Sequence, residues 1–348
     1  MEKKIIYIKP NKSGSSINNS SKRFISHSSQ INKTSSNSQK SNKLNLNISL
    51  ISFKILTIIY SYFLICYYLG NIGNNKCNSS NKIMKHAILL LSSYGINYMN
   101  NVLSQFNNDK RFDIYIHIDG QSKIDIENNK TITKSNIKYI KHLYKSKKKS
   151  IEMVDIMFNL LSIASKTDNY AYFHYFSDSC YLITTLDEFY QFFIQNNNKT
   201  YINYNLEKNF LYKNSRYTLY KGSQWMSLHI NIVHKLLDNI ILFNKYKEAI
   251  RNRTIRLITG APDELIITHI IMNDICKRKP KEYNVLNNNL RFIRWKNCRR
   301  VYCPNYLDID NVSEEEIKSI KKKNFLSIRK IDYKNYKAID LVNRLKGE

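Results

Sequence analysis

Two apolar runs separated by a short amphipathic segment constrain the fold of this chain more than any other feature. Residues Ala87 to Leu91 are continuously apolar, which is the pattern of a strand buried on both faces. Asn97 to Phe106 has helical spacing, and Phe112 to Gly120 forms a second strand pattern that stops at a glycine. Together they predict a βαβ unit. Parallel sheets built from such units bind ligands beyond the carboxyl ends of their strands.

Strand and helix patterns continue to alternate along the chain. They predict a helix over 150–165, a strand over 170–176, a helix over 186–195, a strand over 200–204, and helices over 229–237 and 263–272. Residues 141–149 are strongly basic and indicate a loop. No G-x-G-x-x-G occurs, so the usual dinucleotide-binding fold is not expected. We therefore predict one α/β domain over 85–335, with a mostly parallel sheet flanked by helices, followed by a charged C-terminal tail over 336–348.

The first 84 residues divide into three segments of different composition. Residues 1–47 are rich in Ser, Asn and Lys, which predicts a disordered tail. Residues 48–69 are mostly apolar and match the length of one membrane-spanning helix; a buried helix is the alternative. Nine Lys or Arg and one Glu precede this segment. The positive-inside rule therefore predicts a cytosolic tail, and a lumenal domain that follows a stem over 70–84.

The formal net charge of +28 is compatible with binding to nucleic acid or to an anionic membrane. The lysines are scattered, however, and Asn, Ile and Tyr are abundant as well, so we interpret the charge mainly as a drift in composition. A basic domain still favours a substrate that carries phosphates. The composition leaves both a binding protein and an enzyme open.

The chain has six cysteines, of which Cys66 lies in the apolar segment. At most two disulfides can form among the five others, and Cys298 and Cys303 could close a small loop, although spacing does not prove a pairing. No C-x-x-C pair or compact His/Cys set indicates a zinc site. Sequons such as those that begin at Asn129, Asn198, Asn252 and Asn311 are compatible with a glycosylated lumenal domain.

Five motifs occur in the order seen in a known family. They are Tyr172 to Ser177, Lys221 to Trp225 (Lys-Gly-Ser-Gln-Trp), Pro262 to Glu264 (Pro-Asp-Glu), Leu290 to Trp295 and Phe325 to Asp332. In these motifs the chain resembles the core-2/I-branching β-1,6-N-acetylglucosaminyltransferases and the related peptide O-xylosyltransferases, over roughly residues 85 to 335. The resemblance implies a GT-A-like fold and a glycosyltransferase that uses a UDP-sugar donor.

The Pro-Asp-Glu motif is expected at the start of a helix. Pro262 suits the first helical turn, and Asp263 and Glu264 favour the positive end of the helix, so simple capping could account for both acids. The resemblance gives Glu264 a further role as the base that takes the proton of the acceptor hydroxyl. Gly222 and Gly260 flank unusual polar residues, which suggests that the backbone there needs the freedom of glycine.

The resemblance assigns the other candidate residues to the two substrates. Lys330, with its neighbour Arg329, is implied to hold the donor diphosphate. Asp119 is expected to face the donor nucleotide because of its position at the end of a predicted strand. The implied acceptor contacts are Ser177, Ser223, Gln224, Trp225 and Asp263. The ring of Trp225 is equally compatible with a place in the core. The family's second diphosphate arginine has no clear counterpart, and Arg299 or Arg300 are candidates.

The turn after the third predicted strand departs from the family pattern. The family usually has Ser-Gly-x-Asp-Tyr-Pro, whereas residues 177–182 are Ser-Asp-Ser-Cys-Tyr-Leu. Many sugar transferases place Asp-x-Asp at this turn to hold a divalent metal. The literal Asp-x-Asp here, Asp308 to Asp310, lies in a polar stretch that indicates a solvated turn. We therefore expect no metal and no other cofactor, and a domain that only binds glycan stays open as an alternative.

The main interpretation is a single-pass type II membrane protein of the Golgi or another secretory-pathway membrane. Its lumenal domain would transfer N-acetylglucosamine from UDP-N-acetylglucosamine to a hydroxyl of a glycan or glycoprotein, with inversion and without a metal. Xylose is the alternative donor sugar. The alternative from another class is a non-catalytic, membrane-anchored basic protein that binds glycan or nucleic acid; the main interpretation expects no nucleic acid.

Overall fold

The structure, a computed structural model, describes residues 83–93, 96–106, 108–119, 136–143, 150–212, 215–252, 255–256, 261–298, 301–304, 313–331 and 336–346. The predicted tail over 1–47 and the predicted membrane span over 48–69 lie outside these residues. Within the described ranges, no helix combines the length and the apolar character that crossing a membrane requires.

The helices and strands are numbered in chain order. They are β1 (Lys85–Ser92), α1 (Ile96–Gln105), β2 (Phe112–Asp119), β3 (Ile137–Leu143), α2 (Ile151–Thr167), β4 (Tyr170–Ser177), β5 (Cys180–Leu182), α3 (Leu186–Gln195), β6 (Thr200–Ile202), β7 (Tyr204–Tyr212), β8 (Ser215–Gly222), β9 (Ser227–His229), α4 (Ile230–Asp238), α5 (Ile240–Arg251), β10 (Ile255–Arg256), α6 (Pro262–His269), β11 (Val285–Asn287), β12 (Arg291–Ile293), β13 (Trp295–Cys298), β14 (Val301–Pro304), α7 (Glu314–Lys322), β15 (Ser327–Arg329) and α8 (Tyr336–Arg344). A π-helix over Ile270–Ile275 continues α6, and a 3₁₀ turn covers Pro280–Tyr283.

A seven-stranded sheet in the order β11-β6-β9-β4-β1-β2-β3 forms the centre of the fold. The pairs β4-β1, β1-β2, β2-β3 and β11-β6 are parallel. Strand β9 is antiparallel to both of its neighbours, β4 and β6. The sheet is therefore mostly parallel, as the sequence predicts.

Both faces of this sheet are covered by helices. Along β1, Ala87, Leu89 and Leu91 belong to a core cluster that includes buried residues of α2, α4 and α6. The alternating residues Ile88 and Leu90 belong to a second cluster, with α1, α3, α7 and α8. This two-sided burial explains the continuous apolar run, because successive side chains of a strand point to opposite faces. The three-layer α/β arrangement fits a GT-A-like fold.

A small sheet in the order β12-β15-β5 brings the C-terminal part of the chain to the end of β4. Arg329 of β15 lies opposite Cys180 of β5 on one side and Ile293 of β12 on the other. Since β5 begins three residues after β4 ends, this pairing puts Arg329 beside the turn that follows β4.

Three expectations about secondary structure need correction. Residues 141–143, expected in a basic loop, complete β3, which pairs in parallel with β2. The predicted strand over 200–204 divides into β6 and β7. The predicted helix over 263–272 begins at Pro262, and its last residues have π-helical geometry.

The predicted C-terminal tail is also corrected over most of its length. Residues Tyr336–Arg344 form α8, and Ala338, Leu341, Val342 and Leu345 are buried. The last three of these belong to the core cluster that contains Ile88. This helix therefore belongs to the folded domain. The sequence did not indicate it clearly because its apolar residues are interspersed with charged ones.

Two cysteines, Cys180 and Cys276, are buried and not in disulfides. In the hairpin of β13 and β14, Cys298 lies opposite Val301, and Cys303 lies opposite Lys296. The register thus does not make Cys298 and Cys303 direct cross-strand partners, and a disulfide between them stays a prediction.

Candidate active site

The carboxyl ends of β1, β2 and β4 meet at one edge of the central sheet. Leu91 of β1 lies opposite Ser177 of β4, and Ser92 lies opposite Ile118 of β2. Asp119 is the last residue of β2 and is partly exposed at this edge. Its predicted position at a strand end is therefore confirmed, at the place where parallel sheets bind their ligands.

Asp178 fixes the turn after β4. Its side chain is fully buried, and its Oδ2 accepts hydrogen bonds from the backbone N of Ser93 (2.6 Å) and from Ser92 Oγ (3.2 Å). These two bonds tie the end of β1 to the end of β4. The aspartate at this turn thus holds two strands of the protein together.

Across the ranges that the structure describes, no group of three or more His, Cys, Asp or Glu side chains is arranged to hold a metal ion. The Asp-x-Asp sequence, Asp308 to Asp310, lies outside the described residues. The same is true of Gly260 and of the diphosphate candidates Arg299 and Arg300. A metal-independent site therefore stays a prediction.

Trp225 is a buried ring shared by two arginines. It is 5 % exposed, and the guanidinium carbons of Arg329 and Arg291 lie 4.1 Å and 5.5 Å from its ring centroid. Arg329 is also held by its Nε, which donates to Ser177 Oγ at 3.0 Å. A guanidinium at these distances is attracted by the face of an indole ring. Trp225 and Ser177 together therefore orient Arg329.

Arg291 is a residue that the sequence did not mark as part of the site. It is 6 % exposed, its Nε donates to Ser327 Oγ at 3.1 Å, and its Nη2 donates to the carbonyl of Tyr175 at 3.1 Å. Burial lowers the pKa of its guanidinium from the ordinary value, and the positive charge of Arg329 acts in the same direction. The motif Leu290 to Trp295 includes Arg291 and so could have indicated a role for it. A single arginine in such a motif is, however, equally compatible with a solvated side chain.

Lys330 lies next to the turn after β4. The backbone N of the following residue, Ile331, donates to the carbonyl of Ser179 at 3.1 Å, and Lys330 itself is half-buried. The two cations predicted to hold the donor diphosphate, Arg329 and Lys330, therefore both lie beside the strand end that carries Ser177. Ser177 is 3 % exposed.

Glu264 lies in the first turn of α6. Pro262 occupies the start of the helix, and the backbone N of Glu264 donates to the carbonyl of Ala261 at 3.0 Å. The side chain of Glu264 is 34 % exposed, and Oε2 lies 3.6 Å from the Nζ of Lys221. The adjacent Asp263 is 5 % exposed. Of the two acids, Glu264 is the more exposed to solvent.

Gly222 allows β8 to approach α6 closely. A Cβ at this position would lie 2.2 Å from the carbonyl oxygen of Asn203 and 2.6 Å from Oγ1 of Thr268. Any side chain would therefore collide with backbone as well as with the helix. The same contact is supported two residues earlier, where the backbone N of Tyr220 donates to Nδ1 of His269 at 3.2 Å. Glycine is required here by close packing, which is how Lys221 comes to lie beside Glu264.

Ser223 and Gln224 lie in the segment that joins Gly222 to Trp225. The backbone N of Ser223 donates to the carbonyl of Asn203 at 3.2 Å, and Ser223 Oγ accepts from the backbone N of Trp225 at 3.2 Å. Both Ser223 and Gln224 are partly exposed. These two hydrogen bonds hold the segment in place, and the side chains of Ser223 and Gln224 remain partly accessible.

The two ends of the candidate site are joined by this one segment. Glu264 contacts Lys221 at one end, and Arg329 contacts Trp225 at the other. Four residues of chain span at most about 14 Å between their Cα atoms. Glu264 and Arg329 therefore each contact one end of the same short segment.

Comparison with known proteins shows which family the chain matches. The model of the family described as Core-2/I-Branching enzyme matches residues 90–321, which is 232 of the 348 residues. Among solved structures, 4-diphosphocytidyl-2C-methyl-D-erythritolsynthase from Anaerococcus prevotii is similar at 13 % identity and a TM-score of 0.26, over 47 % of this chain and 78 % of that chain. A TM-score of that size carries no argument about fold or activity. No curated protein matches the sequence.

Proposed function

Because the chain belongs to the core-2/I-branching enzyme family and is therefore a glycosyltransferase, we propose that it moves N-acetylglucosamine from UDP-N-acetylglucosamine to a glycan hydroxyl, with inversion and without a metal ion. Xylose is the alternative donor sugar, since the related peptide O-xylosyltransferases share the five motifs. The observation that carries the proposal is a pair of contacts, Glu264 with Lys221 and Arg329 with Trp225, at the two ends of one short segment.

Glu264 is the proposed base. The acceptor oxygen attacks the anomeric carbon while Glu264 takes its proton, and the bond from that carbon to the diphosphate oxygen breaks, so that UDP leaves. Three features support this role: the carboxylate is partly exposed, it lies at the positive end of α6, and Lys221 is 3.6 Å away. The partly exposed carboxylate can reach a hydroxyl, and Lys221 lies beside it.

Arg329 and Lys330 are the proposed partners of the departing diphosphate. Phosphate oxygens accept charge-assisted hydrogen bonds from both side chains, and cations that are already in position stabilise developing negative charge most effectively. Support for Arg329 comes from its two restraints, the ring of Trp225 and the hydroxyl of Ser177. Support for Lys330 comes from its neighbouring place beside the turn after β4.

The other proposed contacts follow from position and from the family's motifs. Asp119 faces the donor nucleotide, since it ends β2 at the ligand-binding edge of the sheet. The proposed acceptor contacts are Ser177, Ser223, Gln224, Trp225 and Asp263. Because Ser177 and Trp225 already hold Arg329, an acceptor that touches either of them also lies close to the leaving group.

The proposed location is a secretory-pathway membrane such as the Golgi, with residues 48–69 as a single span and the enzyme domain in the lumen. Support comes from the sequence: the segment is long enough to span a bilayer, and nine basic residues precede it. In sealed vesicles, protease should remove an N-terminal tag and leave the enzyme domain intact. Digestion of the enzyme domain in sealed vesicles would overturn this topology.

Transfer by the purified full-length protein tests the proposed reaction. UDP-N-acetylglucosamine and UDP-xylose are supplied separately with mixed glycan acceptors in EDTA, and released UDP and product mass are measured. Product formed from UDP-N-acetylglucosamine in EDTA is the expected result. A strict need for Mn²⁺ would contradict metal independence. Product formed from UDP-xylose alone would show that xylose, and not N-acetylglucosamine, is the sugar transferred.

Two further outcomes would replace the enzyme by a binding protein. Glycan binding without any turnover would indicate a transferase-like domain that has lost activity. Binding to nucleic acid that weakens steeply with salt, without a preference for nucleotide-sugars, would indicate the basic binding protein.

A further inference from the structure

Arg291 is a buried cation with only neutral partners in the described part of the chain. Its hydrogen bonds go to the hydroxyl of Ser327 and to the carbonyl of Tyr175. None of the ion pairs among the described residues includes it. A buried charge is usually paired, because removing it from water is costly. The positive charge of Arg291 is therefore left for another group to balance.

One nitrogen of this guanidinium also lacks an acceptor. Arg291 Nη1 is buried and has no hydrogen-bond partner, and the same is true of Asn289 Oδ1. Buried N–H groups are nearly always hydrogen-bonded, so an orphan of this kind calls for a partner from outside the chain. An asparagine can turn its amide over and present N–H groups to the same space. Both residues can thus donate to one guest.

A small cavity adjoins these groups. Its volume is about 10 Å³, and its lining includes Trp225, Ser227, Asn289, Arg291 and Ser327, together with three phenylalanine rings. This is close to the smallest space that holds one water molecule. The space is small and partly open to solvent, and a water molecule or a monatomic anion is the guest that suits it best.

Charge decides between these two guests. Arg329 lies against the same indole ring as Arg291, so two guanidinium groups act on this region. A water molecule would satisfy a hydrogen bond but would leave the buried charge of Arg291 unbalanced. We propose that the cavity beside Arg291 binds a single halide ion, chloride in the cell. The proposal is independent of the role of Glu264 and of the donor sugar.

Tryptophan fluorescence gives a direct test, since the chain has two tryptophans. In full-length Trp295→Phe protein, excited where tyrosine hardly absorbs, Trp225 is the only tryptophan that emits, and it is 5 % exposed. Bromide quenches a ring that it touches. With gluconate keeping the ionic strength constant, bromide should reduce the fluorescence along a saturable curve, and added chloride should restore it. A curve that is flat or rises linearly without saturation would mean that water fills the cavity, and would overturn the proposal.

Two variants in the same background complete the test. Arg291→Gln should lose the saturable quenching, whereas Arg294→Gln, which removes a nearby arginine paired with Glu316, should keep it. If Arg291→Gln does not fold, the melting temperature of Trp295→Phe protein decides instead: it should be higher in chloride than in gluconate, and equal values would overturn the proposal. Saturating UDP should leave the quenching in place. Displacement of bromide by UDP would mean that bromide binds at Arg329, where the diphosphate is proposed to bind. That result would contradict a separate site at Arg291.

Discussion

The guanidinium carbon of Arg329 lies 4.1 Å from the ring centroid of Trp225. This contact joins β15, near the C-terminal end of the domain, to the segment that follows β8. Four residues before Trp225, near the end of β8, Lys221 has its Nζ 3.6 Å from Oε2 of Glu264. The residues proposed for the two halves of the reaction, proton removal and diphosphate departure, therefore contact the two ends of the stretch from Lys221 to Trp225.

Replacing Trp225 with Phe should weaken UDP binding. The smaller ring still fills most of the space but attracts the guanidinium of Arg329 less strongly, so we expect a loss of about 1 kcal/mol, roughly fivefold in Kd. Calorimetric titration of the full-length protein with UDP measures this. Trp295→Phe is the matched control, because Trp295 is 52 % exposed, and it should leave the Kd unchanged. An unaltered Kd for Trp225→Phe would show that the ring does not position Arg329 for the nucleotide.

Replacing Gly222 with Ala should destabilise the domain strongly. The new methyl group would lie 2.2 Å from the carbonyl oxygen of Asn203, which is backbone and cannot rotate away. We expect a loss of about 3 kcal/mol in the free energy of unfolding. Urea unfolding of the full-length protein, followed by circular dichroism, measures it.

The partner at Gly222 provides an internal control. Thr268→Ala removes the second close contact, so the double variant Gly222→Ala/Thr268→Ala should recover only part of the loss. A single Gly222→Ala variant with the wild-type unfolding midpoint would refute the close approach of β8 to its neighbours.

Buried histidines should make the domain less stable in mild acid. His86 and His174 share a hydrogen bond of 3.1 Å inside the core. Burial lowers the pKa of His86 to about 3, lowers the pKa of His269 to about 4, and holds the pKa of His174 well below its ordinary value. Between the unfolded value of about 6.5 and these folded values, the unfolded chain binds protons that the folded chain does not.

The free energy of unfolding therefore falls as the pH drops below about 6.5, by roughly 1.4 kcal/mol per pH unit for each such histidine. Above that pH the three histidines add no slope. Urea unfolding at pH 5 to 8 measures the effect. His234→Gln, at an exposed position, should leave the slope unchanged, whereas His269→Gln should reduce it. Equal stability at pH 5 and pH 7 would contradict three buried neutral histidines.

Much of the central sheet could be predicted because its strands are apolar on both faces. The run Ala87 to Leu91 and the strand that ends at Asp119 were both found from pattern alone, and the helix Leu186–Gln195 has the predicted bounds. The hairpin of β7 and β8 was missed. It pairs mostly within its own small sheet, so its residues do not carry the apolar signal of the central strands.

The site could be predicted only in part, because sequence motifs name residues without giving their partners. The Lys-Gly-Ser-Gln-Trp motif does not reveal that Lys221 faces Glu264 or that Trp225 faces Arg329, since both contacts depend on distant segments packing together. Arg291 was missed for a related reason: an isolated arginine is usually solvated, whereas this one is buried against the rings of Phe176 and Trp225, which are distant in sequence.

The rate of sugar transfer by Glu264→Gln protein tests the central claim most directly. The amide keeps the shape of the side chain but cannot take a proton, so turnover should fall by a factor of ~100 to 10,000 while the Kd for UDP stays at the wild-type value. Glu282→Gln is the matched control, since Glu282 is exposed and pairs with Lys279 at 3.0 Å, and it should keep the full rate. A Glu264→Gln protein that transfers sugar at nearly the wild-type rate would contradict the account.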